Sequence, residues 1–259
     1  MNCKNCHTLL NEGADYCHKC GGRVIRNRLT LKNLFEHISE TFFNYDNKLL
    51  RTCFALITNP SDVIDGYING VRKKYVNPLS FFGLSLTLSG ISIFIVQKFY
   101  IEEIDFSKFL YDDRGAESLN KIMEGALEYN AILYSVLIPL FAFISWLVFL
   151  NKKYNYTEHI VLFFYTMSMF SMISVVVTQI LLLIDPQTYT SHGLWSFLVL
   201  FIYHCYLYKH IFSLSWGSLI LKILLFLGIF LISYIGISIA TFIILLLTGT
   251  INLEDFAPK

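Results

Sequence analysis

The chain has 259 residues, 55% of them apolar and 15% charged, a formal net charge of +1 and a mean hydropathy of +0.54. That balance excludes an ordinary water-soluble domain, whose composition includes about 25% charged residues. The charges are also segregated, with 18 in residues 1–78 and six in 131–248, so one part of the chain suits water and the other a bilayer.

Cys3, Cys6, Cys17 and Cys20 open the chain as Cys-x2-Cys, ten intervening residues and a second Cys-x2-Cys, followed by Gly21 and Gly22. This is the spacing of a zinc ribbon: two residues between cysteines let both thiolates of a tight turn reach one ion, and two such turns complete a tetrahedral shell. Gly21 suits the positive φ such a turn often needs after its second cysteine. Other chemistries use the same residues. Cys3-Lys4-Asn5-Cys6-His7 fits c-type haem attachment, a reaction of exported proteins, and no secretory signal precedes it. A redox dithiol needs a thioredoxin-like strand and helix, and none follows. An iron–sulfur cluster also takes four thiolates, so iron stays open beside zinc. His7 and His18 adjoin ligands but are read as exposed bystanders. A four-thiolate shell has no open position and is expected to be structural, folding a segment too short for its own core.

Arg23, Arg26, Arg28 and Lys32 follow the ribbon. They read as the positive charge that holds a membrane protein's end in the cytoplasm; without aromatic interleaving or a recognition helix, nucleic acid is not expected as a partner. The ribbon is assigned to 1–28 and an amphipathic juxtamembrane region to 29–78. Leu31, Leu34, Phe35, Ile38, Phe42 and Tyr45 keep helical spacing, giving a helix from about 30 to 44 with Thr30 as N-cap. A second apolar stretch over 49–57 stops at Asn59-Pro60, and Ser61 with Asp62 can start a third helix reaching Val71. Arg72, Lys73 and Lys74 then precede Tyr75 and Pro78 where the chain meets the first long apolar run. These three cations orient the chain and are candidates for binding lipid phosphate or a partner.

Apolar runs over 79–100, 131–150, 160–184 and 219–247 are each long enough to cross a bilayer. A fifth, over 194–212, is weaker because Tyr203, His204, Cys205, Tyr206, Tyr208, Lys209 and His210 crowd its second half. The loops support five crossings. Eleven Lys/Arg precede the first run, whereas the 101–130 connection has three against eight acids. Lys152, Lys153, Lys209 and Lys222 then fall on the first side, so the N-terminus is expected inside and the C-terminus outside. Leu119, Ile122, Met123, Ala126 and Leu127 predict that a helix protrudes from 101–130 into the second span. The fold class is therefore an all-α polytopic membrane protein: five spans within 79–248, a small N-terminal zinc ribbon and a tail over 249–259.

Inside the spans the polar candidates are Gln179 and His204, with Lys222 close enough to an end to snorkel. Ser85 with Ser89, Ser168 with Ser171, and Gly236 with Ala240 offer close helix contacts, and Pro139 predicts a kink. No nucleophile elbow, metalloprotease helix or phosphate loop is present, so no enzyme is expected.

Leu50-Arg51-Thr52, Asn59-Pro60, Tyr67-Ile68-Asn69-Gly70-x-Arg72-Lys73 and Tyr75-Val76-Asn77-Pro78-Leu79, together with the cysteines, resemble a bacterial family of integral membrane proteins of unknown function with an N-terminal double Cys-x2-Cys ribbon. The resemblance covers roughly the first 85 residues. Family members typically have Gly-Gln after the last cysteine where this chain has Gly21-Gly22. The resemblance implies zinc and membrane placement and no activity. The expected role is a non-enzymatic interaction, scaffold or sensing protein of the inner (cytoplasmic) membrane, its cytoplasmic ribbon meeting a protein partner and its bundle meeting membrane lipids. A homo-oligomer is a further option. The alternative is a permease or channel for a small or lipidic solute, with Gln179 and His204 along its path.

Overall fold

The computed structural model describes residues 1–24, 26, 30, 48–101, 103, 104, 125, 127 and 129–247. The expected helix over 30–44, most of the 101–130 connection and the 249–259 tail lie outside the described residues. The chain divides into two compact units, Met1–Lys48 and Leu49–Lys259.

The first unit has two antiparallel bridges, Asn2 with Leu9 and Tyr16 with Arg23, and no longer strand or helix among its described residues before Lys48. Its buried centre is Cys3, Leu10 and Cys17, with Cys6 and Val24 against them.

The second unit is helical: α1 (Lys48–Thr58), α2 (Pro60–Ile68), α3 (Pro78–Ile95) running on through a π turn (Val96–Tyr100), α4 (Asn130–Val148), α5 (Tyr156–Ile184), α6 (Thr188–Ile211) and α7 (Trp216–Leu247). Local signals set the boundaries. Pro60 and Pro78 take the first turns of α2 and α3, where a missing N–H costs nothing. The Asn77 side chain accepts from the Leu79 amide at 2.9 Å. At α5, Asn155 Oδ1 accepts from the Glu158 amide (3.0 Å) while Glu158 Oε2 accepts from the Asn155 amide (2.7 Å), a reciprocal cap that starts the helix at Tyr156. Gly70, at φ +96°, ends the turn after α2, a conformation that L side chains rarely adopt.

Four helices, α3 with its π turn, α4, α5 and α7, are long and apolar enough to cross a membrane. They support a membrane protein. α6 has 24 residues, about 36 Å of helix, and carries the polar second half noted above. That half is turned to α1 and the start of α2. Tyr203 Oη donates to the Leu56 carbonyl (2.9 Å), Tyr206 Oη to the Thr58 carbonyl (3.3 Å), and His210 Nδ1 lies 3.1 Å from Ser61 Oγ. The two carbonyls belong to the last turn of α1, which has no partner within its own helix.

α5 is the central element, packed by α3, α4 and α6 and by α2 at one end. Tyr165 is fully buried; its hydroxyl donates to the Val76 carbonyl at 2.7 Å, while the Val76 amide donates to Thr52 Oγ1 at 3.1 Å. The extended segment leading into α3 thus has both polar groups of its buried Val76 backbone satisfied. At the same end, the α4–α5 connection meets α2 through Lys153 and the α6–α7 connection through Lys152, whose Nζ donates to the Phe212 carbonyl at 3.2 Å. At the other end, Val96, Ile104 and Leu182 form a small separate cluster.

Candidate metal centre

The four cysteines are brought together. Their sulfurs all lie within 4.8 Å of one another, with Cys3 to Cys20 and Cys6 to Cys17 at 3.6 Å, and all four are free thiols. A disulfide requires about 2.05 Å, whereas four sulfurs each about 2.3 Å from one tetrahedral ion stand about 3.8 Å apart. The donor set and its spacing fit a metal ion.

The cause is a local repeat, displaced by fourteen residues. His7 N donates to Cys3 O and Gly21 N to Cys17 O, both at 2.9 Å; Cys3 N donates to Thr8 O (2.9 Å) and Cys17 N to Gly22 O (2.8 Å); Leu10 N donates to Met1 O (2.9 Å) and Val24 N to Asp15 O (2.8 Å). Each half is one turn that aims two sulfurs to one side, closed by one antiparallel bridge. The residue after the second cysteine of each half sits at positive φ, His7 at +57° and Gly21 at +68°. His7 therefore has a backbone role equivalent to that of Gly21, and its imidazole is not needed as a ligand. Gly22 leaves the site unconstrained, since a Cβ there would meet Cys20 Sγ at 3.4 Å, an ordinary contact. The Thr8 hydroxyl, 3.3 Å from Cys6 Sγ, and the Thr8 backbone hold the Cys6 thiol down at about 6. The Gly22 backbone lowers Cys20 as well, so these two favour the thiolate, the ligand form, whereas at Cys17 the backbone of Cys20 and Lys19 pulls down but burial and the Cys6 and Cys20 sulfurs push the thiol up overall.

The remaining candidates are dispersed over the second unit. Arg72 lies with its guanidinium carbon 3.9 Å from the centre of the Tyr67 ring, a cation–π pair. Lys74 Nζ is 2.6 Å from Asp62 Oδ2, and Tyr75 Oη donates to the same oxygen. Lys73 is also engaged. Gln179 Nε2 donates to Ser92 Oγ of α3 at 2.7 Å. His204 uses both ring nitrogens, Nε2 at 3.2 Å from Thr166 Oγ1 and Nδ1 at 2.9 Å from Leu200 O. Gln179 and His204 do not meet: Thr166 and Gln179 are thirteen residues apart on α5, about 20 Å along its axis.

Two further arrangements emerge only in the fold. The first is a double clasp. Lys153 Nζ (2.6 Å) and Tyr154 Oη (2.7 Å) converge on Asp65 Oδ1 as Lys74 and Tyr75 do on Asp62, so two Lys-Lys-Tyr segments grip two carboxylates one turn apart on α2. The ammonium and hydroxyl that donate to Asp62 hold its carboxyl below the ordinary 3.8, and burial together with Asp65 pushes the Tyr154 hydroxyl up. The repeated Lys-Lys-Tyr was visible in the sequence; its acidic partners were not. The second is His159, fully buried, with Nδ1 at 2.9 Å from Ser145 Oγ, which lies 2.9 Å from Tyr208 Oη. His159 Nε2 has no partner. The apolar run of this span starts at Ile160, so hydropathy alone places His159 outside it.

Residues 46–90 match the family described as Protein of unknown function (DUF3667). No curated protein and no solved structure matches the chain. The matched segment holds α1, α2, the Asp62 clasp and the first part of α3, while the cysteines precede it; over those residues the chain is similar to a family of unknown function.

Proposed function

We propose that this is a non-enzymatic protein of the cytoplasmic membrane whose N-terminal ribbon binds zinc and, held in the cytoplasm, recruits or senses a protein partner. The observation that carries this reading is the set of four sulfurs at tetrahedral spacing, which leaves no open position for substrate. Zinc is preferred to iron because two small turns giving four cysteines are the usual frame of a structural zinc site. α6 is read as a fifth span beside α3, α4, α5 and α7. The end of the bundle with α1, α2 and the clasps carries Arg51, Arg72, Lys73, Lys74, Lys152 and Lys153, which supports a cytoplasmic placement of that end. The permease reading needs Gln179 and His204 on one path; their separation and their engagement by neighbouring helices favour the scaffold.

The test is a pull-down of cytoplasmic proteins on the detergent-purified chain, wild type beside Cys17→Ser/Cys20→Ser. The reading expects a partner held by the wild type and lost from the variant. Partners retained equally by both, or flux of a solute through the reconstituted bundle abolished by Gln179→Ala/His204→Ala, would move the function into the membrane.

A further inference from the structure

A cavity of about 340 Å³ opens between α4, α5, α6 and α7. Its wall is almost wholly apolar, with Phe141, Phe163, Phe226 and Phe230 inside and the exposed Phe197 and Leu227 on its rim. One charged residue, Lys222, lines it. Lys222 Nζ donates to the Val148 carbonyl and to Asn151 Oδ1 (2.9 Å) and lies 5.4 Å from the centre of the Phe149 ring. On the same α4–α5 connection, Lys152 Nζ donates to the carbonyl of Phe212 at 3.2 Å, and the Phe212 ring stacks on Phe149 with centroids 4.7 Å apart, so the two lysines contact the same aromatic pair.

Neither has a carboxylate partner among the described residues, whereas Lys74 and Lys153 nearby have Asp62 and Asp65. An ammonium has three donors; Lys222, on the wall of the hollow, uses two, and Lys152, on the adjoining α4–α5 connection, uses one, leaving one N–H on the first and two on the second. Two partly buried like charges, held by neutral oxygens and a ring face and by no carboxylate among the described residues, suit an anion. An apolar hollow in a bilayer calls for hydrocarbon. One class of molecule supplies both from the surroundings of this bundle.

We propose that this cavity is a binding site for an anionic phospholipid, its phosphate between Lys152 and Lys222 and one acyl chain in the hollow between α6 and α7. The level suits the headgroup. Trp216, exposed and stacked under Lys209 Nζ at 3.4 Å, marks an interfacial position, and Lys222 lies six residues further along α7, about 9 Å, its side chain directed back toward that end as its bond to Val148 shows. The site shares no residue with the metal centre, so failure of the ribbon reading leaves it standing.

The test uses the full chain reconstituted in vesicles of equal phosphatidylglycerol and phosphatidylcholine, re-extracted in mild detergent, with the retained lipids counted by mass spectrometry. The wild type is expected to retain phosphatidylglycerol over phosphatidylcholine by about tenfold, the ratio that 1.4 kcal/mol supplies. Lys152→Gln/Lys222→Gln is expected to fall to the vesicle ratio, and Lys152→Gln alone, a change at a half-exposed loop position, to fall part of the way; the single variant decides the matter if the double one does not fold. Leu227→Trp, which fills the rim with both charges intact, is expected to reduce the phosphatidylglycerol retained. Excess inorganic phosphate is expected not to displace the lipid. A wild type at the vesicle ratio, a ratio unmoved by Lys152→Gln, retention unchanged by Leu227→Trp, or loss of the lipid to free phosphate would each overturn the proposal.

Discussion

The two compact units solve the same folding problem by different means. Among its described residues the four-cysteine unit buries Cys3, Leu10 and Cys17 and little else, far too little apolar area to offset the ordering of those residues. The bundle surrounds α5 with aromatic and aliphatic side chains and satisfies its buried backbone through Thr52 and Tyr165. A metal ion acting on four residues is expected to hold the first, while packing spread over many residues holds the second. The first should fail all at once and the second by degrees.

The largest expected difference is at the cysteines. Apparent metal-binding free energy in small zinc domains is about 10–16 kcal/mol, so Cys17→Ser/Cys20→Ser or a strong chelator should unfold the ribbon outright. Proteolysis within residues 1–28 should report this, with the melting of the bundle unchanged. Conversely, Tyr165→Ala should cost the bundle about 3–5 kcal/mol and leave metal content untouched, read as a lowered unfolding midpoint in detergent. Linked failure of both units in either experiment would break the contrast.

Smaller effects sharpen it. Asn155→Ala removes one half of the reciprocal cap on α5 and should cost about 1 kcal/mol, again without loss of metal. The clasp gives a pH signature. Asp62 has its carboxyl lowered in the folded chain by its hydrogen bonds from Lys74 and Tyr75, so its contribution is present above the unfolded value and is lost as pH falls below about 4 through the folded value. Asp62→Asn should flatten that limb of the acid titration and change stability little near neutrality, because the pair is partly exposed. An unchanged acid limb would show that Asp62 and Lys74 contribute nothing in water.

Legibility divides along the same line. The clustering of the four cysteines could be read from spacing, because they and their turn residues, Cys3 through Gly22, fall within 20 consecutive positions. The apolar runs also matched their helices closely, 79–100 against α3 with its π turn and 219–247 against α7, since hydropathy is a local sum. What depended on distant partners could not be read. Asp65 meets Lys153 across 88 positions and Ser145 meets Tyr208 across 63. The polar half of α6 looked like a weakness in a span because Leu56 and Thr58, the carbonyls that its tyrosines satisfy, lie about 147 positions earlier. His159 escaped for a nearer reason: Asn155 and Glu158 look like loop residues until their reciprocal hydrogen bonds make them the start of a helix.

The most direct test of the account is elemental analysis of the detergent-purified full chain, wild type beside Cys17→Ser/Cys20→Ser, with circular dichroism recorded on both. The account expects one zinc per chain in the wild type, none in the variant, and the same helical signal from the two. A wild type without zinc, or one carrying iron with visible charge-transfer absorption, would contradict it, as would a variant that loses its helical bundle together with the metal.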